Sequence, residues 1–577
     1  SMLLLSLLVG VYFGYFQKQD TVAEYLLGGR TMGVLPIALS QVFSHVSGVS
    51  LVGLPAEIYV FGSQYAVIFL PITVTVLLVN YVYLPVFYHL QLNSLYEYLE
   101  LRFSRGTRTL GSLIFALNLV ISAPLVIYVP ALAFNQVTGL DVHIVTPIVM
   151  LICIFYTSIG GLKAVVWTDA IQGVFTLGSN FFVVGLGFMY IGGLTQVLRT
   201  NEEGGRLELF NMNPSPFERN TFWSVSIGSL FYWISQHAVH PGAMQRFIAV
   251  SSLQKAKGVM LWSFVGFVVI KVVIILEGLL LYATFHDCDP LATKMVKKSG
   301  QLLPYYVIQV AKDYPGLTGL FISGVLSAAL STMSAKLNTV AGTIYEDFVK
   351  FFLKGKRLSE AKQAFSLKVI TLILGIISIC LVFVVEKLGA LYQMVVTLNG
   401  FTSGSLVGIF SLGIFFPRAN YKGAIAGALT SLVVMSGIIS GSQLYIARGM
   451  LRFPGKSTSV EGCPAEFLEN LGFNVSARVQ TYKGVGTPVV ADPAVPLLFQ
   501  LSYKYFTATG SIITLLVGLL VSYLTDPQGD TSQLDPRLLA PCVRRFLPPT
   551  ERPNPQEELK LMAYNNKDGD AVKSVHE

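Results

Sequence analysis

The stretch Ser327-Ala-Ala-Leu-Ser-Thr-Met-Ser334 places two adjacent hydroxyls, Ser331 and Thr332, in a run that is otherwise small and apolar. Hard cations take oxygen ligands. On a helix this pair, with the carbonyl of Ala328 one turn earlier, offers three oxygens to a sodium ion, and an unwound helix elsewhere would supply the rest. The same hydroxyls would serve equally as hydrogen-bonding glue between membrane helices. Ionisable groups inside apolar runs are the second signal, because a charge in hydrocarbon is costly and is kept for a purpose. Asp169, in Trp167-Thr168-Asp169, reads as an interfacial carboxylate near Lys163 or as part of an ion path. Lys336 lies four residues after Thr332 and shares its helical face. It either snorkels to the interface or pairs, and Asp169 is the expected counter-ion. Lys271 and Glu277 sit inside a further run, where snorkelling and pairing are both open. His45, His237 and His240 read as hydrogen-bonded interior residues, since no acid or thiol stands at metal-ligand spacing. A P-loop, HExxH and G-x-S-x-G are all absent, so no enzyme motif is present.

Long helices must position these groups. Of 577 residues, 53% are hydrophobic and 12% charged, about half of the roughly 25% usual in soluble domains. An aromatic content of 12% excludes a disordered chain. The net charge of +8 would suit nucleic acid, but the charges fall between apolar runs, the pattern of basic membrane loops. No nucleic-acid partner is expected; the partners are membrane lipid and a small solute. Thirteen runs are candidate spans: 1–17, 31–56, 65–88, 109–140, 144–162, 170–198, 220–245, 258–285, 314–335, 369–385, 388–417, 423–447 and 505–525. Each is long enough, or nearly so, to cross about 30 Å of hydrocarbon as helix. Gly33, Pro36, Gly48, Gly53 and Pro55 crowd one run, which reads either as close packing or as an unwound helix lining a cavity. The expected class is an all-α polytopic membrane protein.

With the N-terminus outside, seventeen Lys and Arg fall in inner loops and eight in short outer ones, which favours an outer N-terminus and a cytoplasmic C-terminus. Residues 1–525 then form the transmembrane domain, with an extracellular loop at about 448–504. The sequon Asn474-Val-Ser agrees, making Asn474 an expected glycosylation site. The Pro-rich, charged tail 526–577 is expected to be cytoplasmic and disordered. Cys288 and Cys463 both fall outside, as a disulfide or as free thiols. Residues 1–17 carry no basic leader, and the chain reads as starting within its first helix.

Several segments resemble the sodium/solute symporter family: PVFYHLQLNSLYEYLELRFSR (85–105), YVPALAFNQVTGLD (128–141), YTSIGGLKAVVWTDAIQ (156–172), NPSPFERNTFW (213–223), PGLTGLF (315–321) and LSTMSAKLNTVAGTIYED (330–347). Within it the chain is similar to the monocarboxylate, multivitamin and iodide symporters. The resemblance implies a LeuT-like inverted repeat of five plus five core helices, with about thirteen transmembrane helices in all. It implies sodium as the co-transported ion and a small organic anion or vitamin as solute, carried across the plasma membrane by alternating access. By the same resemblance the sodium residues are Phe43, Val46, Ala328, Ser331 and Thr332, with Asp169 nearby. The substrate residues are Ser47, Ser50, Tyr128, Phe231, Tyr232 and Trp233. Ser50 stands where some relatives carry Gln, which favours a carboxylate over iodide or sugar. His240-Pro241 and Lys336 depart from the family pattern. A transport-deficient sensor or leak, and an iodide-type symporter, are therefore alternatives. Oligomeric state is not legible.

Overall fold

The computed structural model describes residues 2–17, 21–353, 359–385, 391–453, 455–464, 490–527 and 534–546. Among these, eight helices are long and apolar enough to cross a membrane: Ser63–Leu90, Arg105–Thr138, Val142–Ile191, Leu253–Phe285, Leu317–Phe352, Glu360–Phe383, Tyr421–Ala447 and Tyr503–Thr525. Helix is the form in which such a chain satisfies its own backbone in hydrocarbon. Polar residues set the ends. Ser104, Asp141, Ser252 and Asn420 each cap a helix by accepting from a backbone amide of its first turn. Gly139 closes one helix with φ of 73°, a conformation that glycine adopts without penalty.

The remaining expected runs are helical too: the first and second hold the short helices Met2–Phe16 and Gly48–Phe61, and 388–417 holds Leu391–Phe415. Val142–Ile191 holds two expected runs in one 50-residue helix. At 1.5 Å per residue it would span about 75 Å, more than twice the hydrocarbon. It is divided at Gly161, whose φ of 51° and ψ of −153° are not helical. Run 31–56 is broken where the packing and unwinding readings diverged. Val34–His45 ends at Val46, and Gly48–Phe61 begins after Ser47, with both intervening residues extended.

Leu317–Ile344 packs along Val142–Ile191, the most extensive helix pairing among the described residues. Small residues allow the approach. Thr176 Oγ1 donates to the Gly324 carbonyl at 3.1 Å, and a Cβ on Gly324 would lie 2.8 Å from that of Ser179. Cys288 and Cys463 form a disulfide, which decides between the two readings of these thiols. Asn474 lies outside the described residues. The expectation of a wholly disordered tail fails at residues 534–546. Tyr98 donates to the Leu538 carbonyl at 2.9 Å, the Ala540 amide donates to Ile414, and Leu538, Leu539 and Ala540 are buried. The apolar triplet outweighs the Pro-rich composition around it.

Candidate functional site

The break at Val46-Ser47 faces the middle of Leu317–Ile344. Ser331 Oγ lies 2.8 Å from the Phe43 carbonyl and 3.1 Å from that of Ala328. Thr332 Oγ1 lies 2.9 Å from the same Ala328 carbonyl. Four of the expected sodium oxygens are thus in one cluster. Ser331 is wholly buried and Thr332 5% exposed. Val46 is buried at the break, its amide bonded to Val42. Gly173 leaves room for the Phe43 ring, since a Cβ there would come within 2.8 Å of its Cγ. A cluster made only of hydroxyl and carbonyl oxygens suits a hard monovalent cation. No group of three or more His, Cys, Asp or Glu that could hold a metal occurs among the described residues.

Asp169 does not pair with Lys336. Its Oδ2 lies 3.2 Å from Arg246 Nη2 and accepts from Ser40 Oγ at 2.5 Å. Arg246 Nε donates to Ser40 Oγ at 2.9 Å, and Nη1 to the Gly242 carbonyl at 3.0 Å. The planar guanidinium reaches the carboxylate, the hydroxyl and the carbonyl together, which a single ammonium would not. All three side chains are buried. They tie Val34–His45 to Val142–Ile191 and to Pro241–Ile248. Lys336 points elsewhere and donates to Ser122 Oγ at 3.0 Å. Lys271 and Glu277 do not pair either. The Lys271 ammonium lies 5.5 Å from the Tyr65 ring and 6.0 Å from that of Trp233. Neither oxygen of buried Glu277 has a hydrogen-bond partner among the described residues.

Beside the oxygen cluster is a cavity of about 130 Å³, whose walls include Gln41, Ser47, Tyr232, His240, Thr332 and Lys336. Of the expected substrate residues, Ser47 and Tyr232 line it. Ser50, Tyr128, Phe231 and Trp233 do not. Ser50 turns back to donate to the Ser47 carbonyl at 2.8 Å. Trp233 lies one layer behind, its ring 4.9 Å from His45 and 5.0 Å from His237. Phe231 is half-buried against the core. Tyr128 meets the Lys298 ammonium at 5.9 Å. Two of the three histidines are hydrogen-bonded, as read: Gln41 Nε2 and His237 Nδ1 are 3.0 Å apart, and His240 Nδ1 accepts from the Gly242 amide. Sequence reading missed Ser40, Gln41, Asn118 and Arg246. Asn118 lines the cavity and donates to Thr402. Arg246 counts among the seventeen inner-loop charges of the sequence, yet it follows directly on the apolar run 220–245.

A broken helix, a cluster of oxygens of the kind that suits a cation and an adjacent polar cavity inside a helical membrane body are the features expected of a secondary transporter that couples an ion to a solute. The chain belongs to the sodium:solute symporter family, whose model it matches over residues 25–431. It is 36% identical to sodium-coupled monocarboxylate transporter 1 of Xenopus laevis, over 91% of this chain and 84% of that one. The human protein of that name is 36% identical over 93% and 88%. A putative sodium-dependent multivitamin transporter of Drosophila melanogaster is 34% identical over 90% and 85%. In structure the chain resembles a Na+-coupled sialic acid symporter in a substrate-bound outward-open state. The TM-score is 0.71 at 22% identity, covering 91% of this chain and 96% of that one. That likeness gives the LeuT-like fold expected above. Family membership makes the chain a sodium-coupled transporter rather than an enzyme.

Proposed function

We propose that this chain carries a short-chain monocarboxylate anion together with sodium, inward across the plasma membrane by alternating access. One observation carries the choice of solute. The cavity that shares Thr332 with the oxygen cluster has two strong cations in its wall, Arg246 and Lys336. Asp169 neutralises Arg246, and Lys336 has only the Ser122 hydroxyl as partner among the described residues. A buried ammonium without an acid is costly, and a solute carboxylate offsets that cost. Sodium would sit on Phe43, Val46, Ala328, Ser331 and Thr332, with the solute between Ser47, Tyr232 and Lys336. Asp169 acts as the partner of Arg246, not as an ion ligand.

The cavity volume of about 130 Å³ is close to the roughly 150 Å³ of a cavity that holds one benzene. That favours an acid of pyruvate or propionate size over biotin or pantothenate. The Cys288–Cys463 disulfide supports an outer position for its end of the molecule, because disulfides persist in oxidising compartments. The N-terminus is then outside and the C-terminus cytoplasmic. Labelled pyruvate, nicotinate, biotin, pantothenate and iodide, offered to proteoliposomes in sodium or in choline, test the reading. Pyruvate uptake that needs sodium is expected. Iodide or biotin uptake exceeding that of every short monocarboxylate would overturn the assignment, and exchange without net sodium-driven uptake would favour a leak or sensor.

A further inference from the structure

A second, larger cavity of about 670 Å³ opens at the end of the molecule that carries the disulfide. Its size falls in the range of sites for drug-sized ligands, roughly 300–1,000 Å³, and is well beyond what a three-carbon acid fills. Its lining is partly apolar, from Val52, Ala56, Val60, Leu132, Ile446 and Phe453, and partly cationic, from Arg219, Lys297, Lys298 and Arg452. A single carboxylate, Glu57, lines it, and Arg219 already holds that group with two bonds of 2.8 and 2.9 Å. Lys297, Lys298 and Arg452 have no acidic partner among the described residues. Val49 lines both this cavity and the central one, and Val126 and Val129, one turn apart, line the central and the outer cavity respectively. A thin apolar septum therefore separates them.

We propose that the outer cavity is a second binding site, for amphiphilic monocarboxylate anions, and that an anion lodged there blocks entry to the central cavity without being carried itself. Apolar tail and carboxylate match the apolar and cationic parts of that lining, and three surplus cations select the charge. A tail that fills this space exceeds the roughly 130 Å³ beyond the septum. The blocking role rests on the functional reading above; the binding does not.

Decanoate is the probe. With the full chain in proteoliposomes, it should inhibit sodium-driven pyruvate uptake from the disulfide-bearing side and should not accumulate. Radiolabelled decanoate should bind the purified protein in sodium-free choline medium, and more weakly as salt is raised. Lys297→Gln/Lys298→Gln/Arg452→Gln should weaken binding and block by roughly tenfold, a plausible sum for three screened charges, with the maximal pyruvate rate retained. Leu132→Trp, which fills the cavity and keeps its charges, should abolish decanoate binding to the purified protein. The double variant Ser331→Ala/Thr332→Ala should lose uptake yet still bind decanoate, so failure of the transport reading and of this site are told apart. Equal decanoate affinity in wild type, the triple variant and Leu132→Trp would overturn the proposal, as would sodium-driven accumulation of decanoate.

Discussion

Replacing Ser331 by Ala removes one of the four oxygens that meet between the broken helix and Leu317–Ile344. The hydroxyl is fully buried, so water has no ready access to take its place. Contacts between a polar group and a charged one are worth about 1.5–3 kcal/mol net. Losing one should therefore weaken sodium binding by about ten- to a hundredfold. Little of the effect should fall on folding. The Ala328 carbonyl keeps Thr332 as a donor, and Phe43 lies in the last turn of its helix, where carbonyls are without intrahelical partners anyway. The assay is the initial rate of pyruvate uptake while sodium is exchanged for choline, normalised to protein at the surface. Half-saturation by sodium should rise by that factor, and the rate at saturating sodium should be largely kept. Thr332→Ala should behave alike, and the double variant should show no sodium activation within reach. Unchanged half-saturation in both single variants, at normal surface amount, would refute the placement of the ion.

Lys336→Gln should raise the KM for monocarboxylates about tenfold or more, by loss of a charged hydrogen-bond donor, with sodium half-saturation much less affected; uptake kinetics at saturating sodium separate the two. Asp169→Asn leaves Arg246 buried without its counter-charge and should cost about 3–5 kcal/mol, read as a lowered melting temperature in detergent, with partial recovery in Asp169→Asn/Arg246→Gln. Cys288→Ser/Cys463→Ser should cost roughly 2–5 kcal/mol, matched by reductant on the wild type and not additive with it.

The hydroxyl pair was legible because two adjacent polar side chains on an apolar helix announce themselves by type. The carbonyls of Phe43 and Val46 were not, since every residue has one and only the break makes them available; the family resemblance supplied them. The face of Lys336 was read correctly from its spacing to Thr332, because the cavity borders both. Its partner was not, because helical periodicity gives a direction on one helix and says nothing of which helix stands opposite. Arg246 hid among loop charges although it is 3% exposed, since counting by sign ignores depth. The aromatic trio Phe231, Tyr232 and Trp233 shows the same limit: consecutive residues point in different directions on a helix, so only Tyr232 reaches the cavity. The docked segment at 534–546 was masked by the composition of the residues on either side.

At Val46-Ser47 one helix ends and the next begins, so the break sets two opposed peptide fields face to face. Aligned peptide dipoles leave about half a negative charge at the end of Val34–His45 and about half a positive charge at the start of Gly48–Phe61. On the function proposed above, the cation would sit at the first and the solute carboxylate at the second. Loading either alone leaves the other half-charge uncompensated in a medium of low permittivity, whereas loading both cancels the two fields at once. On that reading, coupling of the two cargoes would be written into the polarity of the main chain, with no side chain needed to relay it.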